Sequence, residues 1–516
     1  MPVGVALCDA RAVTNREIKS VVVAGGGTAG WMTAAALAKV LGPRLTITLV
    51  ESSEIGIVGV GEATIPAIGQ FNRLLKIDED DFLRNTQGTF KLGIEFVDWH
   101  EKGQAYMHAF GPVGRDLAYI PFHHYWLRDQ AAGNAGSLWD YSLNWLAAKQ
   151  GRFARLERVP DTPLAGLAWA FHFDASLYAA YLSKFAQALG VRRLDAKISG
   201  VLQGPEGDVS ALKLEDGREL AADFFIDCTG FRGLLIEGAL KTGYDDWTHW
   251  LPCDRAQAVP STSVSPLTPY TRATALEAGW QWRIPLQHRT GNGHVYSSAF
   301  TSDDRARELL LANLDAPALA EPRLIKFSTG RRKLLWNRNV VCMGLASGFL
   351  EPLESTSIHL IQISIQRLIL HFPHLGNVEE RRREFNRAAA AEYDYIRDFI
   401  ILHYHVNNRV GEPFWDACRN MSIPDSLRHR IELFRESAGI FCATDDLFQL
   451  TSWLQVLWGQ GVRPQTTHAF VEAVAPKDRA GYLDDLRRLY AQAARQLPGH
   501  AEFIARNCAA SRIISS

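Results

Sequence analysis

The chain has 516 residues, of which 47% are hydrophobic and 22% charged, and its formal net charge is −1 at pH 7. This length predicts two intimately joined domains, and the balanced charge argues against electrostatic attraction to nucleic acid or anionic membranes. Residues 1–18 lack the apolar core of a signal peptide, and no segment approaches the roughly 20 consecutive apolar residues of a transmembrane helix. We therefore expect a cytoplasmic protein that binds neither nucleic acid nor membranes.

The seven cysteines are scattered and show neither metal-ligand spacing nor the spacing of a disulfide framework. Buried free thiols in a reducing compartment are the simplest interpretation. The sequence therefore predicts no metal site.

The first elements along the chain are a predicted strand, a glycine-rich turn, a helix and a second strand. Residues 21–24 and 45–50 are short apolar runs, and residues 31–41 carry Ala and Leu at helical spacing. The turn at residues 25–30 reads Gly-Gly-Gly-Thr-Ala-Gly, and Glu51 follows about 20 positions after its last glycine. This arrangement predicts a dinucleotide-binding Rossmann unit.

Each glycine of this turn has an expected role. Gly25 permits the turn, Gly27 lets the backbone approach a pyrophosphate, and Gly30 lets the helix lie close to the strand. Glu51 can accept hydrogen bonds from an adenosine ribose. The alternative is a Rossmann sheet whose glycines bind nothing. The predicted cofactor-binding residues of the unit are Gly25, Gly27, Thr28, Ala29, Gly30 and Glu51.

Residues 89–97 alternate between two kinds of side chain. Phe90 and Leu92 begin an apolar face that continues with period two, whereas Lys91 and Glu95 lie on the other face. The pattern predicts a single strand. The alternative to a functional role for Lys91 is a solvated lysine on the polar face of this strand.

Further elements are predicted along the rest of the chain. They are a helix over 174–190 capped by Asp174 or Ser176, a buried strand within 222–230, strands and turns over 240–330, and helices over 359–400 and much of 415–510.

The most unusual stretch is Phe349–Ser357, which places two carboxylates, a proline and a Ser-Thr-Ser run behind Gly344–Gly348. A helix that begins here would present backbone N–H groups and its positive dipole end to whatever lies in front of it. Upstream, Trp280–Pro285 reads Trp-Gln-Trp-Arg-Ile-Pro, which taken alone is a Trp-rich core strand ended by proline.

Together, the glycine-rich turn, Trp280–Pro285 and Phe349–Ser357 resemble the flavin-dependent halogenases of the tryptophan/indole halogenase family, with matching spacing through most of the chain. The resemblance implies an α/β fold, in which an FAD-binding Rossmann-like module of the glutathione-reductase type carries an inserted β-rich substrate region and a C-terminal helical region. The implied divisions are an N-terminal tail at 1–18, a non-contiguous FAD-binding halogenase module at 19–375 with its β-rich region at about 240–325, and a helical substrate-covering region at 376–516.

Three catalytic residues carry over from this resemblance. It implies that reduced FAD (FADH2), oxygen and a halide give hypohalous acid, which passes through an internal tunnel to Lys91. The amine either hydrogen-bonds this acid or becomes a haloamine, and the haloamine route needs a neutral amine, which burial favours. Glu354 would stabilise the cationic arenium intermediate and take its proton, and Ser355 would relay between the two sites. The alternative for Glu354 is a carboxylate that complements a helix dipole.

Further family matches surround the flavin. Residues 61–66 resemble the flavin-covering strap, and Asp227–Gly230 and Gly344–Gly348 resemble the second and third flavin contacts, which favours FAD over a nicotinamide cofactor. Serine stands at position 357, where many tryptophan-specific members have glycine. The implied roles are flavin binding for Glu62, Ala63, Gly344 and Ser347, halide binding through the backbone N–H groups of Thr356 and Ser357, and flavin shielding for Trp280, Trp282, Ile284 and Pro285.

Three aromatic residues are the candidates for substrate binding. His108 and Phe110 resemble the His-x-Phe pair that sandwiches indole, and Trp453 matches the tryptophan that lines the pocket. The tyrosines and acidic residue that grip the amino acid in tryptophan-specific members are missing, and Phe441-Cys442-Ala443 stands at the comparable place. Charged groups without partners lose solvation energy, which favours free indole or another small neutral aromatic over tryptophan. Asp445 and Asp446 remain as a potential ammonium anchor.

The chain has no second nucleotide fingerprint for NAD(P)H, so the implied partner is a separate NAD(P)H-dependent flavin reductase. Regiochemistry, chloride versus bromide preference and oligomeric state stay open, with a homodimer as one option. Two other functions share part of the pattern, namely a flavin-dependent aromatic monooxygenase and a catalytically idle flavoprotein-like binding module. Trp280–Pro285 and Lys91 argue against the first, and Lys91 and Glu354 against the second.

Overall fold

The computed structural model describes residues 17–54, 61–117, 119–373 and 378–511. Most of the predicted N-terminal tail, and the predicted boundary between residues 375 and 376, lie outside these residues, and the domain division stays a prediction. One contiguous cluster of buried hydrophobic side chains extends from the first strand to the C-terminal helices.

The described residues form 22 strands and 14 α-helices. The strands are β1 Ser20–Ala24, β2 Thr46–Glu51, β3 Gly61–Ala63, β4 Thr89–Lys91, β5 Gly93–Val97, β6 Ala105–Ala109, β7 Ala170–Asp174, β8 Arg192–Asp195, β9 Ile198–Gln203, β10 Val209–Leu214, β11 Glu219–Ala221, β12 Phe224–Asp227, β13 Tyr244–Asp246, β14 Arg255–Thr262, β15 Thr271–Leu276, β16 Gly279–Pro285, β17 Arg289–Tyr296, β18 Arg323–Lys326, β19 Gly330–Arg332, β20 Trp336–Asn337, β21 Val340–Cys342 and β22 Gly348–Phe349. The helices are α1 Thr28–Leu41, α2 Ile68–Leu75, α3 Glu79–Thr86, α4 Phe122–Ala131, α5 Leu143–Lys149, α6 Ala175–Ala188, α7 Asp303–Ala312, α8 Ser357–Leu370, α9 Glu379–His405, α10 Pro413–Asn420, α11 Asp425–Ser437, α12 Leu450–Gly459, α13 Pro476–Gln496 and α14 His500–Asn507.

A mostly parallel six-stranded sheet, in the order β20-β21-β12-β1-β2-β8, forms the Rossmann-like part of the fold. Strand β1 lies between β2 and β12 and is parallel to both, so the strand order reverses at its carboxyl end. Ligands of open α/β sheets bind in the crevice at such a reversal. Helix α1 follows β1 directly and contacts α6 and α8. The sheet therefore places the glycine-rich turn at the expected binding edge.

A seven-stranded sheet, in the order β18-β14-β17-β16-β15-β5-β6, forms the β-rich part. It draws β14 to β18 from the predicted region, but β5 and β6 come from residues 93–109. The β5 strand joins β15 in parallel, and β6 completes the edge. The seven-stranded sheet therefore also includes residues from outside the range of about 240–325.

The single strand predicted over residues 89–97 is wrong, because two short strands in different sheets occupy this segment. Strand β4 pairs with β7, whereas β5 pairs with β15 and β6. Between them, the Leu92 amide donates to the Pro269 carbonyl at 2.8 Å, outside both ladders. Both faces are covered by other elements, so Lys91 and Glu95 are buried rather than solvated.

The other predicted elements are confirmed in outline. Helix α6 matches the predicted 174–190 helix, and its N-cap is Asp174, whose carboxylate accepts from the amides of Ser176 and Leu177. The helices predicted over 359–400 are α8 and α9. Within the residues that the structure describes, no helix is long and apolar enough to cross a bilayer.

Candidate active site

A cavity of about 500 Å³ opens at the carboxyl edge of the parallel sheet. It extends from the glycine-rich turn past the end of β12 to the start of α8, a path that joins two predicted flavin contacts to the predicted halide site. Its wall includes Gly25, Gly27, Thr28, Ala29, Glu51, Glu62, Ala63, Thr229, Gly230, Trp282, Ile284, Gly344, Ser355 and Ser357.

The glycine-rich turn allows a close approach to this cavity. Gly25 has φ +108°, and a Cβ there would lie 2.3 Å from the Cys228 carbonyl oxygen. A Cβ at Gly30 would lie 1.9 Å from the Gly25 carbonyl oxygen, so this glycine is needed where α1 meets the turn. A Cβ at Gly27 would meet no described atom within 4 Å. Gly27 therefore borders open space at the N-terminus of α1, where N–H groups and the helix dipole favour a phosphate.

Two carboxylates lie at the cavity wall. Glu51 accepts hydrogen bonds from Arg193 Nε at 2.6 Å and from Trp31 Nε1 at 3.3 Å, which hold it at the end of β2. A carboxylate has further lone pairs, so these contacts leave capacity for a ribose hydroxyl. Glu62 lies on β3, and burial raises its pKa to about 7.

The Gly344–Gly348 turn closes another side of the cavity. Gly344 has φ +62°, and a Cβ there would lie 2.7 Å from the Cβ of Ala29. The Ser347 hydroxyl donates to the Gly344 carbonyl at 2.7 Å and lies 2.9 Å from the Tyr393 hydroxyl. Ser347 therefore supports the turn from behind, whereas Gly344 borders the cavity.

Lys91 is fully buried at the end of β4. Its Nζ donates to Ser355 Oγ at 2.7 Å and lies 5.3 Å from the centre of the Phe110 ring. Burial lowers the pKa of Lys91 to about 7, against an opposing effect of Glu354. Ser355 also borders the cavity, so one hydroxyl separates the cavity from the amine.

Glu354 lies between two histidines. His108 Nδ1 donates to Oε2 at 2.8 Å, and His403 Nε2 lies 2.9 Å from Oε1. Burial alone would raise the pKa of Glu354, but the charges and hydrogen bonds of the two histidines lower it to about 2. The site therefore holds an ionised carboxylate next to the lysine.

The start of α8 faces the cavity. Ser355 adopts the left-handed conformation with φ +59°, a strained state for a residue other than glycine. Thr356 is the N-cap and Ser357 the first helical residue, so their N–H groups have no acceptor within the helix. Ser357 borders the cavity, and Thr356 is buried.

The predicted shielding residues do not all lie at the cavity. Trp282 and Ile284 on β16 form part of its wall. The Trp280 indole instead donates to Glu351 Oε2 at 2.9 Å, and the Pro285 carbonyl accepts from the Thr89 hydroxyl at 2.7 Å. The latter contact fixes β4, which carries Lys91.

Glu351 is completely buried, and the sequence analysis predicted no role for it. Its Oε2 also accepts from the Tyr404 hydroxyl at 2.5 Å, and burial raises its pKa to about 7. The two carboxylates of the Phe349–Ser357 motif thus have opposite pKa shifts three residues apart.

An aromatic cluster covers the Lys91–Glu354 pair. The Phe399 ring stacks on Phe448 at 3.9 Å and meets Trp453 edge-on at 5.0 Å. His108 lies 6.5 Å from Phe110 and 5.8 Å from Phe399, measured between ring centres. The structure therefore gathers all three predicted substrate residues. The sequence analysis did not identify Phe399 and His403, because α9 carries no recognisable motif. The local sign of a functional site there is a histidine within an apolar helical turn.

In the segment compared with the amino-acid grip, Asp445 is exposed to solvent, whereas Asp446 already has partners within the chain. The side chain of Phe441 is 75% exposed. Asp446 accepts from the Ala443 amide at 2.9 Å and lies 3.6 Å from Arg430, so this carboxylate already has a cationic neighbour. Across the described residues, no group of three or more His, Cys, Asp or Glu could hold a metal ion.

Comparison with known proteins decides the class. Residues 20–476 match the tryptophan halogenase family. The chain belongs to this family. It is a flavin-dependent halogenase, and the family's chemistry requires a flavin and a halide.

Individual relatives of this halogenase agree. It is 36% identical over 449 residues to the tryptophan 6-halogenase ThaL of Streptomyces albogriseolus, with 82% of each chain covered. Among solved structures, it is similar to a flavin-dependent halogenase from Xanthomonas campestris (TM-score 0.94, 48% identity, 96% of this chain and 100% of the other). It is also similar to the flavin-dependent halogenase BrvH from Brevundimonas sp. BAL3 (TM-score 0.91, 46% identity, 95% and 99%).

Proposed function

We propose that this halogenase uses FADH2, oxygen and chloride or bromide to form hypohalous acid, and that Lys91 directs this oxidant onto a small, neutral, indole-type substrate. The observation that carries the proposal is the 2.7 Å hydrogen bond from Lys91 to Ser355, a residue that also forms the cavity wall. The oxidant would leave the cavity at Ser355 and meet the amine on the other side. A separate NAD(P)H-dependent flavin reductase would supply FADH2, and a cytoplasmic location fits this chemistry.

The cavity residues fit FAD. The open space at Gly27 and the N-terminus of α1 suit a pyrophosphate, and Glu51 suits the ribose. Trp282, Ile284 and Glu62 would border the ring system at the other end. Bound there, reduced flavin supplies the electrons that activate oxygen for oxidation of the halide.

The chain's own groups then have distinct tasks. The N–H groups of Thr356 and Ser357 would hold the halide at the positive end of α8. Lys91 would present the electrophilic halogen to the aromatic ring from its buried amine. Ionised Glu354 would stabilise positive charge on the ring as the carbon–halogen bond forms.

We expect free indole to be halogenated in preference to tryptophan. Asp446 already has Arg430 as neighbour, and tryptophan's charged groups would lose solvation without matched partners. The measurement is a competition assay with equal concentrations of both substrates, scored by mass spectrometry. At least a tenfold excess of haloindole is the expected result, whereas predominant halotryptophan would contradict the substrate proposal and leave the halogenase assignment intact.

Gly27→Ala is expected to weaken FAD binding at least tenfold without lowering the melting temperature of the flavin-free protein. The added methyl group would meet no described atom but would occupy the space proposed for the pyrophosphate. Titration of flavin fluorescence measures the affinity, and Gly25→Ala is the contrasting variant, because its clash with Cys228 should destabilise even the flavin-free protein. Unchanged FAD affinity in Gly27→Ala would contradict this placement of FAD.

A further inference from the structure

His500 is the first residue of α14 and is fully buried. Its Nε2 accepts a hydrogen bond from the Phe90 amide at 3.3 Å, and its Nδ1 lies 2.9 Å from the Leu267 carbonyl oxygen. An amide N–H only donates and a carbonyl oxygen only accepts, so the two contacts are satisfied by a neutral ring with its hydrogen on Nδ1. Burial lowers the pKa of His500 to about 4, which agrees with a neutral ring.

The contact with Phe90 lies beside the proposed catalytic lysine. Phe90 directly precedes Lys91 on β4, and β4 is an edge strand of the sheet β3-β7-β4. An edge strand has a neighbouring strand on one side only, so backbone groups on its other side need partners from elsewhere. His500 provides this partner for the amide next to Lys91.

The backbone on the other side of Lys91 is held by the same segment of chain. The Leu92 amide donates to the Pro269 carbonyl at 2.8 Å. The Leu267 carbonyl, two residues earlier, is the group that contacts His500. The backbone is therefore held immediately before and immediately after the lysine, in one case directly and in the other through the histidine ring.

Helix α14 is anchored beyond its end as well as at its start. The Gln287 side chain accepts from the Ala510 amide at 2.8 Å and donates to the Cys508 carbonyl at 3.1 Å. Within the helix, the Phe503 ring meets the Phe90 ring edge-on, with ring centres 5.5 Å apart. The histidine thus contacts β4 from an element that is itself tied to the rest of the fold.

We propose that His500 is a positioning residue for halogenation, which holds the backbone at Phe90 and thereby sets where the Lys91 amine lies. Lys91 Nζ donates to Ser355 Oγ at 2.7 Å, so a displaced β4 would move the amine away from the cavity wall. Small displacements of a reacting group are costly, because the reaction needs a close and aligned approach. The role in halogenation rests on the proposed function, but the hydrogen bond to Phe90 does not.

Two variants of His500 separate its two contacts. Glutamine places its side-chain amide near the position of Nε2, so it can still accept from Phe90 but loses the donor to Leu267. Asparagine places its amide near the position of Nδ1, so it keeps the contact with Leu267 and loses the one with Phe90. The readout is the amount of halogenated indole formed per oxygen consumed. Free methionine in the assay consumes hypohalous acid that leaves the enzyme.

We expect His500→Asn to lower this ratio about 3- to 10-fold, the range for loss of one hydrogen bond, with oxygen consumption nearly unchanged. His500→Gln should keep most of the wild-type ratio. A merely structural role would lower product and oxygen consumption together. An unchanged ratio in His500→Asn, or equal losses in both variants, would overturn the proposal.

His294→Asn is the matched control. Nδ1 of His294 lies 3.0 Å from the Ala306 carbonyl oxygen, and its Nε2 has no hydrogen-bond partner among the described residues. The same substitution therefore removes no contact with the backbone beside the lysine, and the ratio should stay at the wild-type value. A wild-type ratio in Lys91→Met would instead contradict the proposed function of the lysine.

The hydrogen bond itself is tested by NMR of the wild-type, flavin-free chain labelled with 15N at phenylalanine and histidine. We expect a coupling across the hydrogen bond from the Phe90 amide to a ring nitrogen Nε2 that carries no proton, in a ring protonated at Nδ1. The Phe470 amide lies 3.2 Å from Nδ1 of His468 instead, so the tautomer distinguishes the two pairs. A proton on Nε2 of His500 would overturn the proposal, and this result depends on no variant.

Discussion

Lys91→Met should lower the rate of halogenated product at least about a hundredfold, a loss typical of removing one catalytic polar group. Oxygen and reduced flavin should still be consumed, because the change lies beyond Ser355 and leaves the cavity wall intact. Parallel measurement of product by mass spectrometry and of oxygen by electrode separates the two steps. Lys149→Met, which removes a partly exposed lysine paired with Glu95, is the control.

The same variant should be more stable than the wild type. The pKa of Lys91 is lowered from 10.5 to about 7, so between these values the unfolded chain binds more protons than the folded one. The cost of burying the amine is fully present below pH 7, up to about 5 kcal/mol, and decreases as pH rises toward 10.5. Methionine removes this cost. A lower melting temperature for Lys91→Met at pH 7 would contradict this predicted gain in stability.

The second large effect is a pH dependence of catalysis. If Lys91 acts as a haloamine, halogenation should rise about tenfold for each pH unit below 7 and level off above it, because only the neutral amine is nucleophilic. A rate that falls above pH 7 would contradict this route and indicate that the ammonium form donates a hydrogen bond to the oxidant.

Two carboxyl groups require controls, because burial also raises the pKa of Glu62 and Glu351 to about 7. The rise of the rate with pH below 7 is assigned to Lys91 if it persists in the variants Glu62→Gln and Glu351→Gln. The rate profile should have the same apparent pKa in chloride and in bromide. An apparent pKa that changes with the halide would be assigned instead to ionisation of the hypohalous acid.

The Rossmann unit could be predicted from sequence because its signals are local. Gly25 needs a positive φ and Gly27 needs open space, and both demands are met within one turn that follows a short apolar strand. The end of β2 at Glu51 follows from the same spacing. Short-range geometry of this kind is determined by neighbouring residues in the sequence.

The environment of Lys91 could not be predicted in the same way. Its alternating segment is typical of a half-exposed strand, but the covering elements come from distant parts of the chain, including Ser355, 264 positions away. Burial, and with it the low pKa, is a property of tertiary packing. His403 is a further case, because nothing in α9 indicates that its last turn meets Glu354.

The most direct test of the account is wild-type enzyme with FAD, a flavin reductase, NADH and indole, in chloride, bromide and halide-free buffers. We expect haloindole whose mass follows the halide supplied, and no product without halide. Hydroxylated indole in all three buffers would contradict it, because the oxidant would then reach the substrate without passing through a halide.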